Sequence, residues 1–214
     1  MKQLFFGFVI VASLVLIFTY PLASLYAHTG TNFSFRSGLF HPVFGPDHFL
    51  AMLSVGIISA LIGRSAVWRV PVVFVLSMAV GGGLGILNLD LLAMDAGLIN
   101  FYVSDFLIEL MIGLSVVFFG LSIFRVDKIG ERVAWVTVFI FGLFHGYAHG
   151  MEIPSGAVPI EYVSGFLTGT IGIHVAGLSI GWIAGKSKYL IWMLRASAIS
   201  IVFCGIYFVI MALD

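Results

Sequence analysis

Two short runs hold most of the side chains in this sequence that could do chemistry. One is His41-Pro-Val-Phe-Gly-Pro-Asp47-His48; the other is Phe144-His145-Gly-Tyr-Ala-His149-Gly-Met-Glu152. His145, His149 and Glu152 are spaced i, i+4, i+7, which places them on one face of a helix. Two histidines at i, i+4 can chelate one metal ion, each imidazole nitrogen about 2 Å from it. His41 and His48 are seven residues apart. On a straight helix that is roughly 10 Å of rise, too far to share an ion. Gly45 and Pro46 lie between them. Either the helix is interrupted there, or the two histidines serve successive positions along a path.

The donor set narrows the ion. Imidazole and carboxylate without thiolate suit borderline divalent cations such as nickel, cobalt and zinc, whereas hard-ion sites lean on oxygen alone. Copper(I) would prefer sulfur, and Met52 and Met151 stand near the two runs. The single cysteine, Cys204, allows neither an internal disulfide nor a thiolate cage. Metal binding requires neutral imidazole, so affinity is expected to fall below about pH 6.5.

These residues must be positioned by a membrane-embedded frame. The chain has 214 residues, of which 61% are hydrophobic and only 9% charged. A soluble domain is nearer half apolar and a quarter charged, so this chain has too few charges to cover a water-soluble globule. Ten basic and ten acidic residues cancel, leaving no basic surface for nucleic acid. A bilayer core of about 30 Å needs roughly 20 apolar residues as helix, and long continuous runs favour helices over a barrel. The expectation is an all-α, polytopic membrane protein with spans near 38–63, 70–89, 101–124, 133–151, 160–184 and 189–212. Residues 28–214 would form this six-helix domain. Residues 1–27 read as a signal peptide: Lys2, an apolar core from Leu4 to Tyr20, then Pro21 to Ala27. The alternative is a seventh, retained helix.

Lys and Arg in short loops set the orientation. Arg64 and Arg69, then Arg125, Lys128 and Arg132, then Lys186 and Lys188 mark alternate loops, while Asp90, Asp95, Glu152 and Glu161 mark the others. The basic loops are expected in the cytoplasm and both mature termini outside. At about 1.5 Å per residue, His41 and His149 fall near the outer edge, with Asp47, His48 and His145 deeper. Glu109 falls in the outer half and His174 near mid-depth. Ionisable groups at membrane depth usually face the bundle interior or a water-filled path. His41, Asp47, His48, His145, His149 and Glu152 are the candidate metal ligands, with Glu109, His174 and His28 as further candidates. For His174 a helix-to-helix hydrogen bond is the plainer reading, and for Glu109 a packing or pairing role. His28 would matter if cleavage after Ala27 exposed its amine beside its imidazole. Glycines recur every fourth residue at 142, 146 and 150, and again at 177, 181 and 185. Such repeats let helices approach closely.

At its two motifs the sequence resembles the HupE/UreJ family of nickel permeases. His41, Pro42, Gly45, Asp47 and His48 match that family's His-Pro-x-x-Gly-x-Asp-His signature, continued by Ala51-Met52, and Phe144 through Glu152 match Phe-His-Gly-x-Ala-His-Gly-x-Glu. The resemblance extends over essentially the whole chain, including the histidine of the fifth span. It implies a secondary permease of the cytoplasmic (inner) membrane of a bacterium. Ni2+ would be its transported substrate, supplied to nickel enzymes such as hydrogenase or urease, with no permanently bound cofactor. Some relatives carry cobalt or another ion. A homo-oligomer stays open. Two other classes compete. An intramembrane metal hydrolase would use Asp47 or Glu152 as base, although Gly146 stands where His-Glu-x-x-His would need its glutamate. A haem-binding electron carrier would use histidine pairs from facing helices.

Overall fold

The computed structural model describes residues 33–87 and 105–213. The expected signal segment 1–27, His28, Asp90 and Asp95 lie outside the described residues. All regular structure among these residues is helical: α1 (Phe33–Phe44), α2 (Pro46–Ile62), α3 (Ala66–Ile86), α4 (Asp105–Phe124), α5 (Glu131–Met151), α6 (Pro159–Ala184) and α7 (Lys188–Leu213). A 3-10 turn at Val126–Lys128 joins α4 to α5. Five of the helices are each long and apolar enough to cross a membrane, and α1 with α2 makes a sixth crossing bent by 77°. The chain is a multi-pass helical membrane protein. Helices α3 and α5 start earlier than hydropathy alone suggests, because Arg69, Glu131 and Arg132 sit in first turns rather than in loops.

The bend has a local cause. Pro46 disfavours helical backbone in the residue before it, and Gly45 is extended, at φ −82°, ψ 105°. Pro46 then opens α2, where its missing N–H is no loss. The Gly45 N–H donates to the His41 carbonyl at 3.1 Å, closing α1, and the Phe49 N–H donates to the Gly45 carbonyl at 2.8 Å, starting α2. The first span is therefore interrupted between its two histidines.

In lipid, helix association cannot rely on removing apolar surface from water, so close backbone approach matters more. Glycines supply it at three seams. Along α3–α5, a Cβ at Gly81 would strike the Leu143 carbonyl, one at Gly146 the Met78 carbonyl, and one at Gly150 the Gly82 carbonyl. Along the first span and α6, Gly38 sits against the Tyr162 carbonyl, Gly165 against Phe35, and Gly177 against Leu53. Gly113, Gly120 and Gly205 join α4 to α7 through Val209, Val202 and Val117. The seams pair span 2 with span 4, span 1 with span 5, and span 3 with span 6. That pairing is unchanged when the first three spans are exchanged with the last three. Since three spans per half is odd, halves so related have opposite topology, as in inverted repeats.

Large apolar side chains such as Leu76, Val80, Ile171, Trp182 and Phe203 point outward, while Met52, Val55, Phe74 and Phe119 fill the interior. The register of the seams gathers the basic loops at one end. There Ser65 donates to a Glu131 carboxylate oxygen at 2.9 Å and Arg195 to Asp127 at 3.1 Å. At the opposite, acidic end the Val158 N–H donates to Ser34 Oγ at 2.9 Å, tying the loop before α6 to the start of α1.

Candidate metal centre

The 77° bend and the α3–α5 seam fix where the histidines meet. The bend swings His48 back toward His41, so their ring centroids are 6.4 Å apart. From α5, the His149 ring reaches into the angle: it lies 4.7 Å from His41 and 4.1 Å from His48. His145, one turn earlier, lies 5.0 Å from His48. Glu152, just past the end of α5, completes the cluster. Its Oε2 is 3.3 Å from His41 Nε2 and 3.5 Å from His149 Nδ1.

Donor atoms of His41, His149 and Glu152 all lie within 4.8 Å of one another. Bonds of about 2.1 Å put neighbouring ligand atoms about 3.0–3.4 Å apart around a tetrahedral or octahedral ion. Small side-chain rotations would close the difference. Among the described residues this is the one group of three such donors. The site grades from open to closed: the His41 and Glu152 side chains are 30% and 46% exposed, while His149 is 3% exposed. A cavity of about 310 Å³ lies beside His149, bounded by Gly82, Gly83, Gly146, Tyr162 and Phe166 among others.

The hydrogen bonds indicate which nitrogens are free. His145 Nδ1 lies 2.9 Å from the Phe141 carbonyl. A carbonyl only accepts, so Nδ1 carries the proton and Nε2 keeps its lone pair. That Nε2 is buried without a partner, as are His48 Nδ1 and His149 Nε2. Each such orphan costs about 1–3 kcal/mol when nothing occupies it. A cluster of them calls for an occupant. Asp47 plays a different part. Its Oδ1 accepts the His48 backbone N–H at 2.8 Å and lies 3.9 Å from His48 Nε2. It sits in the first turn of α2, where an anion offsets the positive end of the helix dipole. A cation can thus approach that helix end without repulsion.

The carboxyl of Glu152, outside the spans, is held well below the usual carboxylate range by the His149 ring first and by His41 next. It remains ionised wherever the imidazoles are neutral.

The six principal candidates meet in one place; the further three do not join it. Glu109 on α4 is exposed, with Asp47, Glu152 and Asp105 as its charged neighbours. His174 is not among the grouped donors and packs on the Phe74 ring at 5.3 Å. His28 lies outside the described residues. Sequence reasoning passed over the aromatic wall. The Phe166 ring lies 4.1 Å from His149, and Tyr162 lies 6.0 Å from His41 with its hydroxyl buried and unpartnered. A signal for both was present: Tyr162, Phe166, Thr170 and His174 recur every fourth residue, one buried stripe of α6.

Gly45 tests the geometry locally. A Cβ there would lie 2.8 Å from His48 Cδ2 and 3.3 Å from Asp47 Oδ1. Its backbone suits alanine, so the strain falls on those side chains. Gly45→Ala should weaken divalent-ion binding about 10-fold and leave the melting temperature nearly unchanged. Equilibrium dialysis beside a thermal melt would check both.

No solved structure matches this chain. Protein HupE of Rhizobium leguminosarum bv. viciae is 35% identical over 178 residues, covering 82% of this chain and 86% of that protein. Residues 14–208 match the family described as HupE / UreJ protein. With both motifs in place on a helical membrane frame, the chain belongs to the HupE/UreJ family.

Proposed function

We propose that the chain is a secondary permease that takes up Ni2+ across the cytoplasmic membrane, with Co2+ as a second cargo. Family membership supports the class of activity. The observation that carries the reading is the meeting of His41, His149 and Glu152, donors from two separate crossings, around buried nitrogens that lack partners. The basic loops face the cytoplasm, which puts the mature termini outside and opens the centre to the exterior. Ni2+ enters at His41, His149 and Glu152, sheds water, and passes to Asp47, His48 and His145. The ion released inside supplies nickel enzymes such as hydrogenase or urease.

The sequence carries no GxxxxGK[ST] nucleotide-binding loop. Membrane potential is a sufficient drive: at about 2.3 kcal/mol per charge per 100 mV, a divalent ion gains about 4.6 kcal/mol per 100 mV. Liposomes holding the purified protein, with an inside-negative potential, should accumulate Ni2+. Liposomes with His48→Ala or His149→Ala should not. Equal uptake by wild type and variants would remove the permease reading.

The pH response follows from the donors. Protons compete with the ion for imidazole, and Glu152 stays ionised through that range. Ni2+ affinity should therefore be full at pH 8 and fall once the imidazoles take up protons. A binding titration from pH 8 to about 3 would record this. An affinity unchanged over that whole range would show that imidazoles do not hold the ion.

A further inference from the structure

We propose that His174 is an inner station for the divalent ion, reached from the outer centre past the ring of Phe74. The inference rests on the permease reading and supplies its next step.

His174 is 2% exposed, and neither ring nitrogen makes a hydrogen bond among the described residues. The Thr170 carbonyl one turn earlier is at most a weak acceptor for the ring, within the same helix. The structural reading of a lone membrane histidine, a bond between helices, thus has no bond to support it. Another polar atom on the same stripe of α6 is in the same state: Thr170 Oγ1, one turn before His174, is fully buried and unpartnered.

That stripe links the two places. Its outer members, Tyr162 and Phe166, wall the His41–His149 centre, and its inner members are Thr170 and His174. His174 lies thirteen residues past Glu161 and twelve before Lys186, about 20 Å and 18 Å along the axis. His145 is seven residues from Glu152, about 10 Å. His174 is therefore the deeper of the two.

Phe74 of α3 is fully buried and touches both, with its ring centroid 5.6 Å from His145 and 5.3 Å from His174. A phenyl ring on such a route would exclude water, while its face tolerates a passing cation. One imidazole with one hydroxyl makes a weaker site than the outer centre. Weak holding suits a station from which the ion must leave.

The test uses purified full-length protein, in detergent for Co2+ and Ni2+ binding and in liposomes for uptake. His174→Ala should keep outer-centre affinity within about threefold and lose at least about 10-fold in Ni2+ uptake. His174→Cys offers a soft ligand at the same position. It should raise Cd2+ uptake relative to Ni2+ by about 10-fold over wild type, which a packing role would not produce. Undiminished Ni2+ uptake by His174→Ala, beside active wild type, would overturn the inner station alone. So would Ala and Cys variants equally impaired for both ions. No uptake by wild type would overturn the permease reading and the station with it.

Discussion

Replacing His149 by alanine should weaken Ni2+ binding by at least about 100-fold and abolish measurable uptake. Removing partners outside a metal's own ligand shell already costs 10–100-fold, and His149 is the ring on which the others converge. Its neighbours include His41 at 4.7 Å, His48 at 4.1 Å and the Glu152 carboxylate at 3.5 Å. Without it, His41 and Glu152 remain as a partly exposed pair on the outer face, joined to the inner histidines only through the 6.4 Å approach of His48 to His41. The fold should survive, because His149 Nε2 lacks a partner, its Nδ1 meets only the half-exposed Glu152 carboxylate, and the side chain borders an open cavity. Calorimetric Ni2+ titration and a thermal melt on the same sample separate the two effects. Glu152→Gln serves as companion, keeping the shape while removing the charge. Binding retained in His149→Ala would take His149 out of the centre.

Gly146→Val should produce the opposite pattern, a failure of the fold itself. Gly146 lies between the two α5 histidines, and a Cβ there would collide with the Met78 carbonyl of α3. Backbone cannot rotate aside as a side-chain tip can, so α3 and α5 would have to separate along their seam. Overpacking usually costs 1–3 kcal/mol, and a clash with backbone belongs at about 3 kcal/mol or more. The variant should melt well below wild type and elute as aggregate in size-exclusion chromatography. Gly83 provides the control, since a Cβ there meets nothing within 4 Å. Gly83→Ala should leave stability unchanged or raise it by up to about 1 kcal/mol. If both variants behave like wild type, the α3–α5 seam is not what holds the histidine face in place.

Much of this was legible in the sequence because a bilayer imposes simple demands. Apolar run length and scarcity of charge gave the helical spans, and the fourfold period of Gly142, Gly146 and Gly150 marked a close helix contact. The i, i+4, i+7 spacing put His145, His149 and Glu152 on one face without reference to any partner. The break at Gly45-Pro46 was readable as a break, since proline restricts its predecessor wherever it stands. The size of the bend was not, because it depends on how α6 packs against α1 on one side and α2 on the other. Tyr162, Phe166 and Phe74 escaped notice for a similar reason. Aromatic residues are common in apolar spans, and only neighbours from other helices distinguish a wall of the centre from a lipid-facing ring.

The groups able to bind an ion can be read from the chain alone, because donor chemistry belongs to each side chain and intrahelical spacing to the helix period. Only the assembled fold brings His41 and Glu152, more than one hundred residues apart, to 3.3 Å from each other, and sets the Phe74 ring against both His145 and His174. Distances between helices are set by glycine seams, a chain bend and backbone contact across elements. None of these is a property of any one segment.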